Sequence, residues 1–189
     1  MLVRSVAGDD TWQQFEDELA LGAMTLRDVL AREASMIRMP AAEALAFLAV
    51  HATVDPAFAP FVRSARAHGA AVSVVSSGLR QIIVPALERA GVDVPVFAND
   101  VDFDPGGWTK TFLDGSDNGH DKAARVRAAR ARGARTVYAG DGVSDFEAAL
   151  EADRRYAKKG RDLERYCRER GIACTSFASF DEIERALFG

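Results

Sequence analysis

The chain has 189 residues, 48% apolar and 28% charged, with a net charge of −4. That length holds one domain, or one domain with an inserted subdomain, and enough chain to bury a core. The mild acidity gives no general attraction to nucleic acid or to an anionic membrane surface, and no apolar run approaches the ~20 residues that cross a bilayer.

Residues 11 to 68 predict helix after helix. Thr11 and Gln14 make a capping box ahead of Trp12, Phe15 and Leu19 on one face, and Gly22 ends that helix. Thr25 caps a second helix with Leu26, Val29, Leu30, Ala34 and Ile37 in phase. Pro40 stands at the first turn of a third, through Leu45 and Leu48. Pro56 opens a fourth, with Phe58, Phe61, Val62 and Ala65 aligned before Gly69. Short helices with brief connections predict a small bundle.

From Ala70 the pattern changes. Ala71-Val72-Ser73-Val74-Val75 reads as a buried strand, and a helical segment follows to Ala90, kinked at Pro85 or beginning near it. Val94 to Ala98 is a second strand. Val101-Asp102-Phe103 and Trp108 to Phe112 alternate about Asp104-Pro105-Gly106-Gly107, which predicts a hairpin. A helix from Asp121 to Arg132, closed by Gly133, leads to a strand over 136–139 and a helix from Ser144. An edge strand at Arg155-Tyr156-Ala157, a helix over 161–170, a strand over 172–175 and a helix from Ser179 complete the chain. Strands alternating with helices predict an α/β fold, a doubly wound and mostly parallel sheet.

The stretch with most chemistry is Gly140-Asp141-Gly142-Val143-Ser144-Asp145, directly after a strand. Open α/β sheets bind ligands at the C-terminal edge of their strands. Ser144 and Glu147 form a Ser-x-x-Glu box that would start a helix, with Asp141 on the loop and Asp145 behind it, both facing one cavity. Paired carboxylates beside a phosphate site suit Mg²⁺, a hard cation that keeps several waters. The same text also reads as a tight turn followed by a helix-dipole carboxylate.

Val74-Val75-Ser76-Ser77-Gly78 is a second strand-to-loop junction. It offers a hydroxyl and successive backbone N–H groups to phosphate oxygens, though taken alone Ser76 and Ser77 read first as turn or N-cap residues. Lys122 opens a helix, a poor place for a cation on dipole grounds; it is either aimed into a site or solvated. Arg125, Arg127, Arg130 and Arg132 read as a solvated face.

In this order the segments resemble the haloacid dehalogenase superfamily of Mg²⁺-dependent phosphatases. The likeness is greatest to its phosphoserine phosphatase-like and 2-hydroxy-3-keto-5-methylthiopentenyl-1-phosphate phosphatase-like members, and it covers residues 10–189. The resemblance implies a helical cap over 1–68 and an α/β core over 69–189. It implies that Ser76, with the Ser77 and Gly78 backbone, binds a phosphoryl group and that Lys122 bridges phosphate and nucleophile. It assigns Mg²⁺ to Asp141, and to Asp145 the metal shell or the hold on Lys122. The tips after Val75 and Ala139 would then converge with Lys122 on one pocket. Glu16, Arg27 and Arg38 are candidates to face a substrate, but read first as solvent-exposed residues.

One part of the family pattern is not found, the Asp-x-Asp-x-Thr/Val loop whose first Asp attacks phosphorus and whose second is acid and base. Asp102-Phe103-Asp104-Pro105-Gly106 mimics its text but lies in the hairpin. Ala7-Gly8-Asp9-Asp10-Thr11 can be forced into register, with Ala7 at the nucleophile position. However, Trp12 to Gly22 resembles a later part of the cap, so residues 1–10 resemble the end of its first helix. The expectation is a chain that starts late, without the family's mid-sheet first strand, and that shows little or no turnover. The complete protein is expected to hydrolyse a small phosphorylated metabolite. A non-catalytic module that binds phospho-ligands or a protein, and a phosphotransferase, are the alternatives.

Cys167 and Cys174 are the only cysteines, at a spacing that matches no metal signature, and residues 1–6 lack the apolar stretch of a signal peptide. A cytoplasmic protein with reduced thiols is expected. No nucleic-acid or membrane partner is expected, and a homodimer is left open.

Overall fold

Helices α1 (Thr11–Ala20), α2 (Leu26–Met36) and α3 (Ala41–His51) come first, where the apolar spacing places them. The computed structural model describes residues 11–104 and 106–189, and of Thr11 and Trp12 the backbone only. Both readings of residues 1–10 therefore lie outside the described residues, as does Pro105. Thr25 caps α2 as expected: its hydroxyl accepts from the Asp28 N–H and the Asp28 carboxylate reaches back to the cap. The chain folds as two compact units, Met1–Val54 with Ser73–His120, and Asp55–Val72 with Asp121–Gly189.

In the first unit, β1 (Val74–Leu79) leads into α5 (Arg80–Arg89), β2 (Val96–Asp102) and β3 (Thr109–Thr111). β1 and β2 are parallel, β2 and β3 antiparallel, giving the order β1-β2-β3 and the expected hairpin. Pro85 lies inside α5, which starts five residues earlier. Ala34, Ile37, Ala44, Leu48, Val101 and Trp108 form the core, and the Trp108 indole N–H donates to Met39 O at 2.9 Å.

The second unit contains α4 (Phe58–Ala67), α6 (Lys122–Ala131), β4 (Val137–Gly140), a 3₁₀ turn (Val143–Asp145) and α7 (Phe146–Glu151). Then follow β5 (Arg154–Lys158), α8 (Asp162–Glu169), β6 (Thr175–Phe177) and α9 (Phe180–Phe188). The sheet order is β4-β5-β6, all parallel. β5, expected at an edge, is thus the middle strand of its sheet. Its Tyr156 and Ala157 are buried, at 4% and 0% exposure, which an edge position would not require.

α4, expected to join α1–α3 in a bundle, packs instead on α9. Phe58 and Phe61 meet the Phe180 ring at 4.6 and 5.3 Å between centroids, and Phe61 meets Phe188 at 6.4 Å. Asp55 ties the two helices together: it accepts from Ala57 N at 2.9 Å, from the Ser179 hydroxyl at 3.1 Å and from Phe180 N at 3.2 Å. The fold is the expected mostly parallel α/β arrangement. Among the described residues, β1 is paired along one edge only, by β2, and β4 along one edge only, by β5.

Candidate functional site

Lys122 is the first residue of α6 and is 7% exposed. The preceding Asp121 caps the helix, accepting from Ala124 N at 2.8 Å. The Lys122 ammonium donates to Asp145 Oδ1 at 2.6 Å and to the Ser144 hydroxyl at 2.8 Å. An ammonium carries three donors, so among the described residues one N–H of Lys122 is left for a further acceptor.

Asp145 is 4% exposed, and both of its oxygens are engaged. Oδ1 also accepts from the Tyr138 hydroxyl at 2.7 Å, while Oδ2 accepts from Asp141 N at 2.8 Å and Gly142 N at 2.9 Å. Burial by itself would raise the Asp145 carboxyl. The Lys122 charge and the hydrogen bonds from Lys122, Gly142 and Tyr138 outweigh it and hold the group below the usual carboxylate range. Burial and the Asp145 charge push the Tyr138 phenol the other way, above its ordinary value. These bonds displace the expected Ser144–Glu147 capping box. The helix is entered through the 3₁₀ turn, with Asp145 reaching back to the loop amides and Ser144 turned to Lys122.

Asp141 differs from Asp145. It is exposed at the end of β4, and its carboxylate has no hydrogen bond or ion pair among the described residues. The two carboxylates therefore do not both face a cavity: one is a buried anchor and one is open. Among the described residues no three His, Cys, Asp or Glu side chains come together as a metal cage. A single open carboxylate at a strand tip nevertheless fits Mg²⁺, which is usually held by one or two carboxylates plus waters and substrate oxygens.

In the first unit, the Ser76-Ser77-Gly78 segment is not a loop after the strand but a bulge within β1. Val75 stands opposite Phe97 and Leu79 opposite Asn99, so three residues face Ala98 alone. The Ser76 hydroxyl accepts from Gly78 N at 3.0 Å and keeps its own proton to donate. Ser77 is 8% exposed and its hydroxyl is spent on Asn118 O at 3.0 Å. Ser76 is thus the hydroxyl of this pair that stays available.

Several residues at these sites carry no local sequence signal. Asn99, 0% exposed, donates to Ser77 O at 3.0 Å and Gly119 O at 2.8 Å, and accepts from Leu113 N at 2.9 Å. Lys110 donates to Ser77 O at 2.7 Å. His120, 1% exposed, pairs through Nδ1 with Asp114 at 2.6 Å. Each is recognisable only once non-local strands and loops have been assembled. Of the cap candidates, Arg27 is half-buried, 4.1 Å over the Phe112 ring and bonded to Asp114 O at 2.5 Å. Glu16 and Arg38 are exposed. Arg125, Arg127 and Arg130 of α6 and Arg132 at its C-cap are exposed as expected, with Arg127 reaching Asp121 at 2.9 Å.

Comparison with known proteins gives a consistent family. The haloacid dehalogenase-like hydrolase profile matches residues 6–150. Pdp3-interacting factor 1 of Schizosaccharomyces pombe is 32% identical over 176 residues, 88% of this chain and 77% of that protein. Polyol phosphate phosphatase PYP1 of Saccharomyces cerevisiae is 32% identical over 163 residues, 78% of this chain and 68% of that one. A 2-hydroxy-3-keto-5-methylthiopentenyl-1-phosphate phosphatase of Exiguobacterium sibiricum is 31% identical, covering 72% of this chain and 64% of its own length. In fold, the chain matches a substrate-bound phosphoserine phosphatase with a TM-score of 0.74 at 19% identity, over 98% of this chain and 89% of that one. The chain belongs to the haloacid dehalogenase-like hydrolases, among their phosphatases.

Proposed function

We propose that the protein's machinery serves Mg²⁺-dependent hydrolysis of a small phosphomonoester. The observation that carries this reading is the buried Lys122 ammonium, fixed by Asp145 and Ser144 with one donor left over, beside the open Asp141 carboxylate. In the second unit, Lys122 would donate to an oxygen of a transferring phosphoryl group; in the first, taken by itself, the Ser76 hydroxyl would be the donor offered to a phosphoryl oxygen. Asp145 keeps the Lys122 side chain aimed and fastens the Asp141–Gly142 loop. Asp141 would hold Mg²⁺, and the metal, when bound, would offset negative charge on the phosphoryl oxygens. In this reading α1–α3 act as the cap, and the phosphate ester of a polyol, as in the name of one relative, or of a similarly small polar metabolite is the substrate class.

The sequence holds no Asp-x-Asp-x-Thr/Val loop to supply a carboxylate nucleophile, which the chemistry of this family requires for its covalent step. This chain by itself is therefore expected to release little phosphate from a generic aryl phosphate in Mg²⁺. A version extended upstream through an Asp-x-Asp loop is expected to release it readily, and to lose that activity in Lys122→Met. Robust turnover by the chain as given would overturn the expected inactivity. A silent extended form would overturn the hydrolase reading.

The second reading, a module that binds a phospho-ligand or a protein without turnover, is favoured by a relative named for its interaction with another protein. Transfer of the phosphoryl group to an added alcohol, read as a phosphorylated alcohol among the products, would mark the phosphotransferase alternative.

A further inference from the structure

The bulge at Ser76–Gly78 raises a structural question of its own: what holds three residues in place against one. The β1–β2 ladder skips them, so their backbone groups need partners from elsewhere. The Ser77 carbonyl, at the centre of the bulge, receives two donors: the Asn99 amide at 3.0 Å and the Lys110 ammonium at 2.7 Å. Peptide bonds throughout the described chain are trans, and a trans peptide sets its C=O and N–H on opposite edges of one rigid plane. Pulling the Ser77 oxygen toward Asn99 and Lys110 turns the Gly78 N–H the opposite way, where it meets the Ser76 hydroxyl at 3.0 Å.

We propose that Lys110 is a positioning residue for oxyanion binding, gripping the Ser77 carbonyl so that the Gly78 N–H holds the Ser76 hydroxyl with its own proton free for the anion, with a strength that depends on the charge of Lys110. This rests on the reading of the bulge as a phosphoryl-binding segment. Asn99 cannot play the same part alone, because its amide is shared between Ser77 and Gly119 and cannot change charge. Lys110 can. It is held on β3 opposite Val101, on the inward face of the pleat, with Asp100 and Asp102 of β2 on the other face. From α2 it senses the Glu33 carboxylate, and it shares the Phe112 ring with Arg27, at 5.4 and 4.1 Å from the centroid. Burial lowers its pKa to about 8, with Glu33 opposing that shift. The ammonium is therefore present at neutral pH and lost in mildly alkaline solution.

The test uses the full chain and tungstate, a tetrahedral oxyanion that stays fully ionised over the neutral-to-alkaline range. Its affinity is measured by calorimetry as pH rises. Wild-type affinity is expected to fall about tenfold as pH rises through the Lys110 transition, the size of one weakened charge-assisted hydrogen bond. Lys110→Met is expected to bind about tenfold more weakly at neutral pH, with a flattened pH profile. Lys110→Arg, which cannot lose its proton, is expected to keep its affinity in alkali. Ser76→Ala is expected to bind weakly throughout. If Ser76→Ala weakens binding while Lys110→Met matches wild type in affinity and pH profile, the positioning role falls and the site survives. If Ser76→Ala binds like wild type, or wild type does not bind, the phosphoryl-binding reading of the bulge falls and the positioning role with it.

Discussion

At the end of β4 the backbone of Gly140 runs hard against the Asp145 carboxyl: a Cβ at position 140 would lie 2.7 Å from Asp145 Cγ and Oδ2. Gly142, two residues on, has nothing within 4 Å of its place for a Cβ and an extended backbone at φ −110°. The two glycines of Gly-Asp-Gly therefore have different jobs. Gly140→Ala must push Asp145 off its amide and Lys122 contacts and is expected to cost about 2 kcal/mol, roughly a 6 °C lower melting temperature. Gly142→Ala is expected to shift melting by less than about 2 °C, since nothing in the fold crowds it. Equal shifts in the two variants, measured by calorimetry, would contradict this division. The spacing of the motif made Asp141, Asp145 and Lys122 legible as a set, through the family they resemble. It did not show which carboxylate is buried. That depends on Tyr138, from the strand that leads into the motif, and on Lys122, which comes from another helix, and a partner as distant in sequence as Lys122 leaves no mark near residues 140–145.

Elements were legible wherever their signals are local. Thr25 caps α2, Asp121 opens α6, and Gly22, Gly69 and Gly133 follow helix ends with positive φ, as helix C-termini favour. The strand limits were read less well, because a strand ends where its partner does. β1 begins at Val74 and continues through Ser76–Gly78 to Leu79 because Asn99 on β2 resumes the ladder there. The place of α4 was illegible for a similar reason. Its Phe58 and Phe61 stripe matches any apolar neighbour, and the partner chosen is α9, far away in sequence. Asp55 identifies that partner, since it bonds to the start of both helices and lies 3.9 Å from the Lys158 ammonium. Asp55→Ala removes both caps and is expected to lower stability by about 2 kcal/mol, read from the denaturant midpoint. Asp55→Asn, which keeps an acceptor oxygen, is expected to recover part of the loss. An unchanged midpoint in Asp55→Ala would show that aromatic packing alone joins α4 to α9.

For the molecule as a whole, alternating strands and helices were enough to predict the α/β class, because parallel pairing imposes that rhythm. The sheet order was not, since β5 carries too few residues to show that it is covered on both edges. Family membership rests on 145 matched positions, from residue 6 to residue 150, and on relatives that are phosphatases. The proposed phosphoryl-binding role is drawn from the chemistry of the groups described. Among those groups Asp141 is the most accessible to test, because its side chain makes no hydrogen bond or ion pair among the described residues and its replacement leaves Lys122 and Asp145 in place. The most direct measurement is tungstate binding by wild type and Asp141→Asn, with and without Mg²⁺, after equal melting temperatures have shown both to be folded. The expected result is that Mg²⁺ tightens binding about tenfold or more in wild type and has no effect in Asp141→Asn. An undiminished Mg²⁺ effect in Asp141→Asn would contradict the assignment of the metal to this carboxylate, and with it the proposed site.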